Sequence, residues 1–415
     1  MRIRRVACLL FAGFCIIQLT LLYFENLDIQ RFMPNEKTNK PYRVLRGYNK
    51  DSTGKYLIHR FYKSEGFNLD SIEPEDVTLV THCTVDRLHH IIGLTETWAG
   101  PMSIAIFAPG TDSAFADDAI DGLRLCWPVL RKWANFHLVY PKHESARANM
   151  SSAGDFVYLS CKDIMRRMVL KKSLLESQHS PGGLGYPHNL MRNVALSGVL
   201  TNFVLTVDIE MIPSENLRKN FLEFAKENHL HPKPHTVKNN QENTSVNKTV
   251  FVVPAFEVKK DSEIGGTKQS ILAAMRKSDA RPLLQETCPQ CQVQTNYEKW
   301  ASTSGLVHQF GVAYEAEFAT GWEPFFISSR MAPWFDEKLT KFGHDRLSQI
   351  CELKSNEYTF KVINNGFLIV ASFRIKSRMT EEEHIRKENK ITFKDQFRAG
   401  LRKSGRIASD LIGVC

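Results

Sequence analysis

The chain's spacing of apolar and polar positions divides it into an apolar leader, a polar stretch and a long region of alternating strand-like and helix-like segments. Residues 6–24 form an apolar run whose polar side chains are Gln18 and Thr20. Residues 25–75 are rich in Asn, Lys, Asp and Ser and keep no sustained period, the pattern of a spacer. The β-branched run at residues 77–81 then predicts a buried strand. Apolar positions at Leu88, Ile91, Ile92 and Thr95 predict a helix over residues 86–98, stopped by Gly100 and Pro101. Residues 103–108 and 136–140 read as further strands, residues 189–198 as a helix and residues 202–207 as another buried strand. Residues 229–248 are rich in Asn, Lys, Pro and His and read as an exposed insertion before a strand at 250–254. From Glu381 onward the chain is highly charged, the pattern of a surface helix and tail. Strands alternating with helices imply crossover connections and an α/β fold with one central sheet.

The leader changes the picture most. Its nineteen residues approach the ~30 Å hydrocarbon thickness at about 1.5 Å per residue, whereas a cleaved signal needs an apolar core of only ~7–15 residues. Arg2, Arg4 and Arg5 precede it, and positive charge keeps that end cytoplasmic. The expected organisation is a cytoplasmic tail (1–5), a transmembrane signal anchor (6–24), a luminal stem (25–75) and a luminal catalytic-type domain (76–415). A cleaved signal is the other reading, and both send the rest of the chain into the secretory pathway. Sequons at Asn149, Asn243 and Asn247 agree with that route. Seven cysteines follow the leader, an odd number in a compartment where disulfides form. Cys288 and Cys291 have zinc-knuckle spacing without a second pair, which favours disulfide roles over metal. The net charge of +9 comes from scattered Lys and Arg with no nucleic-acid motif, so it describes a solvated basic surface, with no nucleic-acid partner.

The candidate chemistry lies at the end of the strand over residues 202–207, where Asp208 and Glu210 follow with one residue between them. In an extended segment, positions i and i+2 face the same side. The two carboxylates are thus expected to converge on one divalent ion, Mn²⁺ or Mg²⁺, and on the diphosphate of a nucleotide-sugar donor.

Longer stretches carry a resemblance. Gly185-Tyr-Pro-His-Asn-Leu-Met-Arg-Asn-Val-Ala195 and the Asp208 segment through Glu215 resemble the beta-1,4-glucuronyltransferase 1 family. That family is related to the glucuronyltransferase domain of the bifunctional enzymes that build matriglycan. Thr81 to His90, Trp98-Ala-Gly-Pro101, Trp322-Glu-Pro-Phe325, Phe335-Asp-Glu337, Ser348 to Leu353 and Asn365-Gly-Phe-Leu368 continue it in order. It implies a GT-A nucleotide-sugar transferase fold with a mixed central sheet. It also implies inverting transfer of glucuronate from UDP-glucuronate to a xylose-terminated O-glycan of a glycoprotein, in the Golgi membrane, type II, with other Golgi glycosyltransferases as possible partners. Inversion needs a general base, and Asp336 and Glu337 are the candidates. Arg192 and Asn193, with Asp208, are candidates for the donor pocket because Arg forks onto phosphate or carboxylate.

Two positions depart from the family pattern: Glu210 stands where the family has a second aspartate, and Val370 where it has a metal-binding histidine. They leave open a second reading with another donor, such as UDP-N-acetylglucosamine or UDP-xylose. A third reading is a catalytically weak paralogue that binds a glycan or a partner. The secretory route itself is checked by mass: endoglycosidase treatment of the secreted or membrane-bound protein is expected to shift it, and the N149Q/N243Q/N247Q variant is expected to show no shift.

Overall fold

The computed structural model describes residues 42–44, 49–63, 72–142, 147–149, 156, 159–175, 186–231, 248–260, 262, 264–303, 310–340, 343–373 and 387–403. The proposed anchor at 6–24, the sequons at Asn243 and Asn247, and Cys415 lie outside these residues. Among the described residues no helix is long and apolar enough to cross a membrane.

Ten strands among them form one mixed sheet. In spatial order they are Val312–Ala316, Thr359–Ile363, Thr249–Val253, Phe325–Ser329, Phe203–Thr206, Val77–Thr84, Met102–Phe107, Ala134–Pro141, Tyr56–Tyr62 and Asn49–Lys50. Val77–Thr84 is buried over seven of its eight residues, as a strand covered on both faces must be. It runs parallel to Met102–Phe107 on one side and to Phe203–Thr206 on the other. The chain thus builds outward from this strand through Met102–Phe107 to Ala134–Pro141, then returns to its other flank. That reversal makes a crevice at the carboxyl ends of Val77–Thr84 and Phe203–Thr206, the place where open α/β sheets bind ligands. Phe325–Ser329 runs antiparallel beside Phe203–Thr206, with Ile327 opposite Leu205.

A second sheet of four short strands, in the order Ala280–Pro282, Ala255–Val258, Leu368–Val370 and Ile212–Pro213, closes one side of the crevice. The helix predicted over 86–98 begins as a 3₁₀ turn, Val85–His90, and becomes α-helical over Ile91–Trp98. Helix His188–Leu196 lies against the central strands and is buried over eight of its nine residues.

Three expectations are corrected. The stem was drawn to residue 75, yet Tyr56–Tyr62 pairs antiparallel with Ala134–Pro141 and belongs to the main sheet. Its His59 and Arg60 broke the apolar pattern because an edge position tolerates polar side chains. The Asp208–Glu210 segment is not extended: the strand ends at Thr206, and the Met211 amide donates to Asp208 O at 2.9 Å, closing a turn. The charged tail is not wholly on the surface either. Phe393, Phe397 and Leu401 pack with Leu339, Leu347 and Cys351 into a small core of their own.

Cys126 joins Cys161 across 35 residues, and Cys288 joins Cys291. The first bridge ties helix Asp112–Cys126 to helix Cys161–Leu175. Chain entropy values a loop of that length at about 4 kcal/mol, with measured bridges at about 2–4. The C126A/C161A variant is therefore expected to lose roughly 2–4 kcal/mol in urea unfolding, with Cys288–Cys291 intact.

Candidate active site

A cleft of about 520 Å³ opens at the carboxyl ends of the two central parallel strands. One wall comes from the end of strand Val77–Thr84, the Asp208 turn and residues 343–347. The other comes from residues 283–292 and the entry to strand Phe325–Ser329.

On the first wall each acid has an arginine. Arg346 donates from Nη2 to Asp208 Oδ1 at 2.5 Å, and its guanidinium lies over the Phe325 ring at 4.2 Å. Arg87 stands 3.7 Å from Glu210. Beneath them Arg192 donates from Nη1 to Asp345 Oδ2 at 2.5 Å, both side chains being almost wholly buried. Arg192 also donates to Asn189 Oδ1, and the Gly343 amide donates to Asp345 Oδ1. Burial alone would raise the Asp345 carboxyl; Arg192 overrides it and holds it at about 2. Asp345 therefore stays ionised and acts as a fixed anchor.

The imidazoles behave oppositely. His82 is buried, so desolvation pushes its pKa well below the ordinary value, and the nearby Arg192 charge adds to the effect. Its Nδ1 pairs with the Tyr186 hydroxyl at 2.5 Å, while its buried Nε2 has no hydrogen-bond partner among the described residues. A buried polar atom left without a partner on a cleft wall marks a position where a ligand can complete the hydrogen bonding. His188 is held edge-on to Tyr186 at 4.8 Å, and burial lowers it to about 4.

The sequence-derived candidates divide. Asp208, Glu210 and Arg192 line the cleft. Asn193 is buried behind it, where its amide donates to Phe335 O and Glu337 Oε1 and its carbonyl accepts from the Phe335 amide. Asp336 and Glu337 are not among the cleft-lining residues. Asp336 Oδ1 accepts from the Lys338 amide within its own loop, and Glu337 Oε2 accepts from Ser52. These positions fasten the loop to helix His188–Leu196 rather than face the cleft. Val370 is buried at 4% exposure in a strand antiparallel to Ile212–Pro213, a register whose next step sets it beside Met211. The strand pairing thus carries residue 370 to the carboxylate turn, with a side chain that offers no ligand atom. Asn149 falls in strand Arg147–Asn149.

Arg346, Arg87, His82 and Glu323 line the cleft without having been singled out. His82, Arg87 and Glu323 lie inside segments that carry the family resemblance, which was the available signal; Arg346 falls just before one of them. Of the residues expected to hold a metal, Asp208 and Glu210 both line the cleft, and no cluster of three His, Cys, Asp or Glu able to hold one occurs among the described residues.

Paired acids and arginines at the switch point of an α/β sheet have the chemistry to meet a charged ligand. Over residues 76–404 the chain matches, and belongs to, the family described as glycosyl-transferase for dystroglycan. It is a glycosyltransferase. It is 30% identical over 365 residues to beta-1,4-glucuronyltransferase 1 of Danio rerio, covering 85% of this chain and 80% of that one. Against the same enzyme of Homo sapiens it is 30% identical over 358 residues, with the same coverage. Xylosyl- and glucuronyltransferase LARGE2 of Mus musculus is 25% identical over 298 residues, or 72% of this chain and 34% of that one. Among solved structures, S. aureus TarS 1–349 in complex with UDP matches with 12% identity and a TM-score of 0.30 over 81% of this chain and 76% of that one.

The Arg192–Asp345 pair generates a stability test. Because its folded pKa is depressed, Asp345 contributes stability above its ordinary value of 3.8, and that contribution is lost as pH falls towards about 2. Asp345→Asn leaves Arg192 buried without its counter-charge and is expected to cost about 3–5 kcal/mol at neutral pH. Chemical unfolding followed down the pH scale should show the acid-dependent loss in the wild type and a shallower slope in D345N.

Proposed function

We propose that this glycosyltransferase has a GT-A type fold and transfers glucuronate from UDP-glucuronate, with inversion, to a xylose-terminated O-glycan on a glycoprotein. It would do so in the Golgi lumen, held there by the 6–24 anchor. The observation that carries the reading is the Asp208–Glu210 turn at the switch point, flanked by Arg346 and Arg87. The relatives named beta-1,4-glucuronyltransferase 1 support the donor sugar.

The charges support a divalent ion in the same place. Three arginines and four carboxylates line the cleft, so its own charges leave no surplus of positive charge to meet an incoming diphosphate. Asp208 and Glu210 offer the hard oxygen donors that Mn²⁺ or Mg²⁺ takes. When bound, the ion would offset the charge of the departing diphosphate. The chain's own residues do the rest. Arg346, held over Phe325, would present a fork towards the phosphates or the sugar carboxylate, and Arg87 lies at the rim. The neutral His82–Tyr186 pair offers hydrogen-bonding atoms without adding charge.

Val370 favours a second reading, a weak paralogue that binds a glycan, because it leaves two protein ligands beside the turn. Release of UDP from a panel of UDP-sugars separates the two. The full-length chain would be assayed with a β-xyloside acceptor and Mn²⁺, Mg²⁺ or EDTA. Metal-dependent turnover of UDP-glucuronate is expected, with Asp208→Asn lowering kcat/KM by roughly 10²-fold or more. Turnover of a different sugar would replace the donor, and silence of a folded protein across the panel would select the paralogue.

A further inference from the structure

Displacement at a sugar carbon needs a base for the acceptor hydroxyl, placed between acceptor and donor and away from the leaving diphosphate. Four carboxylates line the cleft: Asp208, Glu210, Glu323 and Asp345. Asp345 has both oxygens committed, one to Arg192 and one to the Gly343 amide, and lies buried beneath the wall. Asp208 and Glu210 share the turn with the two arginines that suit the diphosphate.

Glu323 is placed differently. Trp322 before it is wholly buried and donates its indole N–H to Thr295 Oγ1; Phe325 after it is sunk in the main core. The backbone between them is fixed as well. The Glu323 amide donates to Cys291 O at 2.8 Å, and its carbonyl accepts from Gln292 Nε2 at 2.9 Å. Both partners belong to the segment bridged by Cys288–Cys291. Two buried aromatics and a bridged loop therefore hold one carboxylate at the cleft surface, and such preorganisation is what proton transfer requires.

The walls also differ in charge. All three lining arginines, Arg87, Arg192 and Arg346, come from the segments around the Asp208 turn and helix His188–Leu196, and none comes from residues 283–292 or 321–323, although Arg346 reaches over the Phe325 ring. An anionic nucleotide sugar suits the first wall, and a neutral sugar acceptor suits the second. Glu323 enters strand Phe325–Ser329, which runs antiparallel beside the strand that ends at the Asp208 turn.

We infer that Glu323, rather than Asp336 or Glu337, is the catalytic base of the transfer proposed above, on which this assignment rests. Its carboxylate takes the proton of the acceptor hydroxyl as that oxygen bonds to the anomeric carbon. The bond from that carbon to the β-phosphate oxygen breaks, and UDP leaves with the electron pair.

The test uses the full-length wild type, E323Q and E323D, with UDP-glucuronate as donor, a β-xyloside as acceptor, and calorimetry of UDP-glucuronate binding. E323Q is expected to lower kcat by roughly 10²–10⁴-fold while the donor Kd stays within about twofold, as expected of a group that contributes no binding. E323D, which keeps a shorter carboxylate, should recover part of the loss. A kcat for E323Q within a few-fold of the wild type would overturn the assignment, as would a loss matched by weaker donor binding. If E323Q does not fold, E323D decides alone: reduced kcat with unchanged donor Kd supports the base, and unchanged kcat overturns it. A wild type that turns over no UDP-sugar would overturn the transfer reading and this assignment together. Turnover by the wild type with E323Q unaffected removes only Glu323.

Discussion

The buried pair between Arg192 and Asp345 is the contact on which the site depends. It joins helix His188–Leu196, packed on the central strands, to the segment that leads into helix Leu347–Ser355. Burying two charges is costly, and Asn189 and the Gly343 amide offset part of that cost by hydrogen bonding to Arg192 and to Asp345, while Arg192 Nε has no hydrogen-bond partner among the described residues. Asn189 tightens the same junction by donating to the carbonyls of Asp345 and Asp336. The pair therefore fixes where residue 346 leaves the core. Arg346 then reaches Asp208 at 2.5 Å with its guanidinium over the Phe325 ring.

From that anchor the cleft divides into two chemistries. The wall of the Asp208 turn interleaves arginines with acids, where the proposed anionic donor would sit. The opposite wall carries the disulfide-bridged segment and a single acid, Glu323, where the proposed acceptor would enter. The imidazoles of His82 and His188 also line the cleft, their pKa values lowered by burial.

Much of this was legible in the sequence for physical reasons. The buried parallel strands announce themselves as β-branched runs, because both faces are covered. The acids that follow residue 207 stand out because polar residues rarely interrupt such a strand without cause. Strand Tyr56–Tyr62 is hard to read because His59 and Arg60 interrupt its apolar run, and the turn at Asp208 because spacing alone does not separate a turn from an extended end. Asp336 and Glu337 were attractive as adjacent acids. The structure leaves them outside the cleft lining, with hydrogen bonds to Lys338, Asn193 and Ser52, and the last two lie far away in sequence. Arg346 carries no local pattern, since only the folded pairing with Asp208 gives it meaning.

The most direct measurement is a structure of the chain with UDP bound. The account expects the diphosphate in the cleft beside the Asp208–Glu210 turn, within hydrogen-bonding distance of Arg346, and the nucleoside near His82 and Tyr186. Diphosphate density elsewhere, with the Arg346–Asp208 contact undisturbed and the cleft holding solvent alone, would contradict it.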